Sequence, residues 1–172
     1  MPAQPSTNRN AFARTRTTRA PARRSPTPRD ALQLLRNDHR KVADLFDQFE
    51  KARTDDRKAL LAAQICAELK VHAQIEEEIF YPAAREALRN DDLLDEATVE
   101  HQSAKALIAE IEGASPGDEL FDARVMVLGE YIKHHVKEEH NELFPQLRKA
   151  RIDLKALGQA LAERKEALQA EA

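Results

Sequence analysis

Apolar residues return every three or four positions through most of the chain after Pro28, and charged residues fill the positions between them. In a helix this spacing collects the apolar side chains on one face. The pattern runs through four long segments and a shorter one, and it predicts helices over about residues 30–52, 55–81, 92–112, 118–144 and 153–169. Each predicted helix has one apolar face on an otherwise charged cylinder, so none would stay folded alone in water.

Short breaks separate the predicted helices. They lie near Thr54, between Pro82 and Asp92, and at the segment GASPGD, which starts at Gly113. Because short connections make successive helices antiparallel, the four long helices are predicted to form an up-down-up-down bundle that buries their apolar faces. The shorter fifth helix is predicted to lie against this bundle or against a partner.

Composition agrees with an all-α fold. The chain has only four Gly and no Trp and is rich in Ala, Leu, Glu, Lys and Arg, whose side chains keep much of their freedom in a helix. Its 172 residues suit one domain and a tail. A single cysteine, Cys66, excludes an internal disulfide, and no apolar run approaches the roughly 18 residues of a membrane span. We therefore expect a cytoplasmic protein that does not enter a membrane.

The first 29 residues differ from the rest. They contain seven Arg, five Pro and no Asp or Glu, so the net charge of −3 for the whole chain leaves −10 on residues 30–172. A segment with so little to bury is predicted to be disordered. Its charge is compatible with contact to nucleic acid or an acidic partner, and equally with a solvated tail of no specific role. The predicted folded domain is residues 30–172.

A histidine interrupts each of the four long apolar stripes, and two of these histidines are followed four positions later by a glutamate. The six residues are His39, His72, Glu76, His101, His135 and Glu139. Residues four apart lie one above the other on a helix surface, so each His–Glu pair can point to one place. The pattern predicts four imidazoles and two carboxylates directed into the bundle centre.

A metal site explains this set better than six separate core residues. A lone inward histidine is more often a core residue satisfied by a neighbouring carbonyl. Two buried carboxylates, however, are very costly without cations, and the stripes offer no inward Lys or Arg for each. Imidazole and carboxylate together suit iron, manganese or zinc, and six ligands shared by two ions leave coordination positions open. We therefore predict a dinuclear metal site.

The spacing of these residues indicates an internal duplication. The interval from His72 to His135 equals the interval between their two glutamates, and the interval from His39 to His101 is only one position shorter. The segments VHAQIEEEIFYP and HHVKEEHNELFP also correspond, and the prolines that end them are predicted to kink or stop their helices. Two similar helical hairpins would face each other across a pseudo-twofold site.

Five neighbours are predicted to support the ligands: Glu68, Glu100, Lys105, Tyr131 and His140. Glu68 lies one turn before a ligand and could fix the tautomer of its imidazole. Tyr131 lies one turn before His135, where a phenol could hydrogen-bond a ligand or coordinate the metal, or else pack as an ordinary core residue. His140 is a candidate substitute ligand, and Lys105 a candidate acid–base group.

The order His, HxxxE, His, HxxxE on four helices resembles the haemerythrin-like HHE cation-binding family, over about residues 30–145. The resemblance implies a non-haem di-iron site, with manganese or zinc less expected, and Glu76 and Glu139 as bridging carboxylates. Oxygen-carrying haemerythrins have a further ligand His and a ligand Asp at the positions of Lys105 and His140. Reversible oxygen transport is therefore not expected.

The resemblance leaves three functions open. The first is a di-iron binding protein for iron handling or for sensing oxygen, nitric oxide or peroxide, without turnover. The second is a di-iron enzyme acting on peroxide or another small oxidant, although no catalytic residue is predicted. The third is a metal-stabilised helical adaptor that contacts partners through its tail and fifth helix.

Overall fold

The structure, a computed structural model, describes residues 30–88 and 91–171, so the predicted disordered tail, residues 1–29, lies outside the described residues. The described residues form α-helices and two π turns and contain no strand. The helices are α1 (Ala31–Lys51), α2 (Asp55–Ile75), α3 (Tyr81–Leu88), α4 (Asp92–Glu112), α5 (Phe121–Glu138), α6 (Phe144–Lys149) and α7 (Leu154–Glu171). The π turns are Glu76–Phe80 and Glu139–Leu143.

Two of the predicted helices extend further than the sequence pattern indicated. α2 continues through the first π turn into α3, and α5 continues through the second π turn into α6. The predicted ends at residues 81 and 144 are therefore too early, because Pro82 and Pro145 lie inside the continuing helices. Each proline falls in the first turn of the helix after a π turn, where its missing N–H and its ring are tolerated.

The π turns start at the two glutamates of the HxxxE motifs. The backbone N–H of Tyr81 donates to the carbonyl of Glu76, and that of Phe144 donates to the carbonyl of Glu139. Both bonds are of the i→i+5 type that defines a π turn. The same local distortion thus occurs twice, at corresponding places in the two hairpins.

The predicted all-α bundle is confirmed. α1 packs against α2 and α5, and α4 packs against the same two helices, so the first hairpin (α1–α3) and the second hairpin (α4–α6) form a four-helix bundle. Two apolar clusters fill it, one around Leu35, Phe80 and Phe144 and the other around Ile65 and Leu128. The interrupting histidines occupy the level between these clusters.

Helix α7 lies across α1 and α2. Leu161 is fully buried there. A Cβ on Gly158 would lie only 2.6 Å from the backbone nitrogen of Ala31, so glycine permits the close crossing of α7 and α1. Lys165 forms an ion pair with Asp38 of α1. The fifth helix therefore covers the first hairpin. No helix in the described ranges is long and apolar enough to cross a membrane.

Candidate metal centre

The six residues predicted as ligands meet at one level of the bundle, and we call them the inner centre. All six are buried: His39, His72, Glu76, His101, His135 and Glu139. Glu76 is 0% exposed and Glu139 is 3% exposed. Among the described residues, neither carboxylate forms an ion pair with a Lys or an Arg. Charged groups this deep require a compensating partner.

The first hairpin supplies the two imidazoles of one group of donors. Nε2 of His39 lies 2.9 Å from Nε2 of His72. Oε1 of Glu76 lies 3.2 Å from Nε2 of His72, and Oε2 of Glu139 lies 3.3 Å from Nε2 of His39. One donor atom from each of these four residues lies within 4.8 Å of every other, so they can surround one ion.

The second hairpin supplies the imidazoles of the other group. Nε2 of His101 lies 3.3 Å from Nε2 of His135. Oε2 of Glu76 lies 3.4 Å from Nε2 of His101, and Oε1 of Glu139 lies 3.9 Å from Nε2 of His135. Each glutamate therefore presents one oxygen to each pair of imidazoles. Carboxylates placed in this way could hold cations together with both pairs of imidazoles.

Each imidazole of the inner centre directs Nε2 inward and Nδ1 toward an outer residue. The Nδ1 distances are 2.9 Å from His39 to Nε2 of His140, 3.6 Å from His72 to Oδ2 of Asp38, 3.0 Å from His101 to Oε1 of Glu77 and 2.7 Å from His135 to Oε2 of Glu100. An acceptor at Nδ1 holds the proton there and leaves the Nε2 lone pair free. The carboxylates beside His101 and His135 thus favour the metal-binding tautomer, whereas Nδ1 of His72 has no hydrogen-bond partner among the described residues.

Three of the predicted supporting residues lie near the inner centre. Glu100 hydrogen-bonds His135 of the neighbouring helix, and His140 hydrogen-bonds His39. His140 contacts Nδ1, the outer nitrogen of that imidazole, so it supports a predicted ligand from outside the inner centre. Lys105 is one step further out, since it pairs with Glu77 at 2.6 Å. Glu77 in turn holds the imidazole of His101.

The other two predicted supporting residues lie elsewhere. Glu68 pairs with Lys41 at the surface, and the place beside Nδ1 of His72 is taken by Asp38 from the neighbouring helix. Tyr131 is 51% exposed, so it is neither a core residue nor directed at the inner centre. Both residues were predicted because they lie one helical turn from a predicted ligand on the same helix. The observed supporting contacts instead join side chains of different helices.

Sequence reasoning missed Tyr81, which is 4% exposed. Its hydroxyl donates to Oε1 of Glu139 at 3.1 Å and lies 3.2 Å from Nε2 of His101. In a regular α-helix a residue five positions after Glu76 would be turned about 140° away from it. The wider π turn brings Tyr81 back to the same side. The only signal in the sequence was an aromatic residue before a proline inside a helical pattern.

Burial and mutual charge set the protonation of the inner centre. Burial, and then the charge of Glu76, raise the pKa of Glu139 to about 8. Burial alone would lower the pKa of His72, but Glu76 and Asp38 raise it to about 10. Burial and the charge on His72 put the pKa of His39 well below its usual value. The two glutamates therefore do not carry full negative charge together unless cations are bound.

The donor set fits metal ions. Both carboxylate oxygens of Glu76 and Oε2 of Glu139 have no hydrogen-bond partner among the described residues. A metal ion bound at about 2.1 Å from each donor leaves neighbouring donors about 3 Å apart. The facing donors of the first group lie 2.9 to 3.3 Å apart. Cations would satisfy these otherwise orphaned oxygens.

A cavity of about 30 Å³ adjoins the inner centre. All four of its histidines line the cavity together with apolar side chains, among them Val42, Leu69, Ile108 and Ile132. The volume corresponds to about two water molecules. A molecule of two or three heavy atoms can therefore reach the imidazole side of the centre.

The bundle and its buried donors define a helical protein with a cation-binding centre. The chain matches the hemerythrin HHE cation binding domain over residues 30–147, and it belongs to this family. The solved structure of an HHE cation binding domain-containing protein from Mycobacterium kansasii has the same fold, with a TM-score of 0.71 and 21% identity, over 83% of this chain and 88% of that one.

A curated relative extends beyond the region it shares with this chain. The protein named DNA nickase from Nostoc sp. is 31% identical over 115 residues, which are 67% of this chain and 32% of the relative. The chain thus spans about a third of that protein's length.

Proposed function

We propose that the inner centre binds two iron ions and that the protein uses them to bind or sense oxygen, nitric oxide or peroxide. The observation that carries this proposal is the pair of glutamates, each of which presents one oxygen to each pair of imidazoles. Imidazole with carboxylate suits iron, and the four histidines can offer Nε2 lone pairs toward it once His72 has lost its proton. Bound iron would supply open coordination positions and a change of oxidation state.

The cavity beside the centre limits what can reach it. Its lining is mostly apolar, and its volume of about 30 Å³ excludes anything larger than a very small molecule. The histidines hold and orient the ions, the outer acceptors fix their tautomers, and the surrounding apolar clusters keep bulk water away. These features support selection of a diatomic or similarly small ligand over an organic substrate.

An enzyme acting on peroxide is the second candidate, and Tyr81 favours it. Peroxide breakdown needs proton transfer near the metal, and a buried hydroxyl at 3.1 Å from Oε1 of Glu139 can donate or relay a proton. Burial, and then the charge of Glu139, raise the pKa of Tyr81 well above its usual value, so it stays protonated. The corresponding residue of the second hairpin, Phe144, has no hydroxyl.

Two other functions have less support. The adaptor hypothesis depends largely on the basic tail, which lies outside the described residues. DNA nicking, the activity in the name of the Nostoc relative, is not proposed, because the shared region is about a third of that protein.

Metal analysis of the purified protein tests the proposal. We expect about two iron ions per chain after loosely bound ions are removed, with visible absorption that changes on reduction and on exposure to air. His72→Ala and His135→Ala should lose iron and colour, whereas His134→Ala, which removes the exposed neighbouring imidazole, should keep both. One zinc ion and no colour in the wild type would contradict a di-iron centre. Release of oxygen from added peroxide by the iron-loaded protein would then favour the enzyme.

A further inference from the structure

A second group of metal-type donors lies on the outside of the second hairpin, and we call it the outer group. It consists of Glu100 on α4 and of His134 and Glu138, one turn apart on α5. Nε2 of His134 lies 3.2 Å from Oε1 of Glu138 and 3.6 Å from Oε1 of Glu100. The imidazole is 60% exposed and the two carboxylates about a quarter exposed, so solvent reaches all three.

The outer group is connected to the inner centre. Glu100 uses its other oxygen, Oε2, to accept the hydrogen bond from Nδ1 of His135 at 2.7 Å. A crevice of about 10 Å³ is lined by both outer carboxylates and by His135 and Glu139 of the inner centre. Oε2 of Glu139 is buried without a hydrogen-bond partner. The crevice therefore runs from the two partly exposed outer carboxylates to the buried carboxylate of Glu139, whose Oε2 faces Nε2 of His39.

The corresponding place in the first hairpin is closed. In the first half of the duplication, the outer group is matched by Asp38, Val71 and Ile75. Each of these three residues directly precedes a histidine or glutamate of the inner centre. There Lys165 of α7 pairs with Asp38, and the other two residues pack into an apolar cluster. Helix α7 thus covers one half of the bundle and supplies a cation to its carboxylate.

Within the part of the chain that the structure describes, the second hairpin has no cover like that of α7 on α1 and α2. Among the described residues, the ion pairs of Glu100 and Glu138 are with histidines and none is with Lys or Arg. A bound cation would neutralise these carboxylates, as the ammonium group of Lys165 on α7 does for Asp38 in the first hairpin. Two carboxylates and an imidazole are suitable ligands for a divalent first-row transition metal.

We propose that Glu100, His134 and Glu138 form a third cation site, through which divalent transition-metal ions enter the inner centre. The site itself stands on its own donors; its role in entry rests on the proposed function of the inner centre. The crevice has room for about one water molecule, so it is too narrow for a fully hydrated ion. The outer group replaces part of the hydration shell before the ion moves inward to Glu139.

A titration of the full-length protein with Mn²⁺ tests the third site. The inner centre is first filled with iron, and free Mn²⁺ is then followed by its electron paramagnetic resonance signal. We expect one further, weakly held Mn²⁺ per chain in the wild type, and its loss in His134→Asn and in Glu138→Gln. Glu142→Gln removes the same charge from an exposed position one turn further on and should bind as the wild type does. No extra ion in the wild type, or equal binding by all variants, would overturn the site.

Uptake kinetics test the role in entry. Metal-free protein is mixed with Fe²⁺ without oxygen, and iron bound to the chain is measured over time. Both outer-group variants should reach the wild-type iron content but fill roughly tenfold more slowly, because Glu138→Gln reduces the local negative potential that concentrates cations and His134→Asn removes a donor that replaces hydration water. Equal rates would overturn the entry role. A wild-type chain that never takes up two ions would instead contradict the proposed function, and the Mn²⁺ titration of that chain would still decide the third site.

Discussion

At the scale of single residues, the two halves of the inner centre differ most at Tyr81 and its counterpart Phe144. The hydroxyl of Tyr81 donates to Glu139, whereas the ring of Phe144 stacks near His39 with ring centroids 6.2 Å apart. Phe144 has no hydroxyl to donate, and the guanidinium of Arg36 lies 5.1 Å from the centroid of its ring. The duplicated ligand set is therefore chemically asymmetric, with a proton donor on one side of it.

Removing that hydroxyl should make metal loading more sensitive to acid. The hydrogen bond from Tyr81 stabilises the charged form of Glu139, so Tyr81→Phe should raise the pKa of that glutamate and let protons compete better with metal. A hydrogen bond to a charged group contributes about 1.5 kcal/mol or more, so the pH of half-loading should rise by about one unit. Iron content measured against pH tests this. Tyr131→Phe, at the exposed tyrosine, should match the wild type, and an unshifted profile in Tyr81→Phe would contradict the role.

At the scale of the helices, the sequence pattern correctly placed the six predicted ligands on inward helix faces, because they lie before or at the start of the distortions. His72 lies in regular α2 and Glu76 is the first residue of the π turn, so a period of 3.6 still relates the two. After the π turn the helical register is shifted, and this shift brings Tyr81 to the side of the inner centre. In a regular α-helix Tyr81 would point away from it. A π turn depends on how a proline-containing helix packs in the bundle, which local periodicity does not encode.

The supporting residues were harder to predict for a different reason. Periodicity identifies neighbours along one helix, and it selected Glu68 for His72. The acceptors at Nδ1 come from adjacent helices: Asp38 of α1 faces His72 of α2, and Glu100 of α4 faces His135 of α5. The rotation of one helix against the next decides these pairs. That rotation follows from packing of the whole bundle.

The crossing of α7 over α1 offers a prediction at the same scale. Gly158→Ala places a Cβ about 2.6 Å from the backbone nitrogen of Ala31, so α7 must move, which should lower the free energy of unfolding by about 1 to 3 kcal/mol. Gly113→Ala is the matched control, because its added Cβ would meet only ordinary contacts, the carbonyl oxygens of Ala109 at 3.4 Å and of Glu110 at 3.8 Å. Denaturant unfolding of both variants measures the difference, and equal stability would show that α7 does not pack this closely.

At the scale of the whole molecule, the fold combines a symmetric centre with an asymmetric cover. Two similar hairpins supply equivalent ligands, while α7 lies over only one of them. The covered side has its carboxylate paired with Lys165. The open side retains exposed carboxylates beside the centre. The two similar hairpins thus supply equivalent residues for the proposed pair of ions, and the open side is the proposed route toward them.

The whole centre should exchange protons for metal. At pH 7 the metal-free chain holds a proton on Glu139, whose pKa burial and Glu76 raise to about 8, and on His72, whose pKa lies at about 10 against the effect of burial. Both must lose their protons to bind metal, so uptake should release about two protons per chain, and affinity should weaken as the pH falls.

Calorimetric titration with Fe²⁺ in buffers of different ionisation enthalpy measures this release. Glu139→Gln carries no titrating proton at that position, so its release should fall by about one proton per chain. Glu142→Gln, on the exposed side of the second π turn, should release as many protons as the wild type. Uptake without proton release would mean that both ligands are already deprotonated, and that the two buried carboxylates are balanced by something other than the incoming ions.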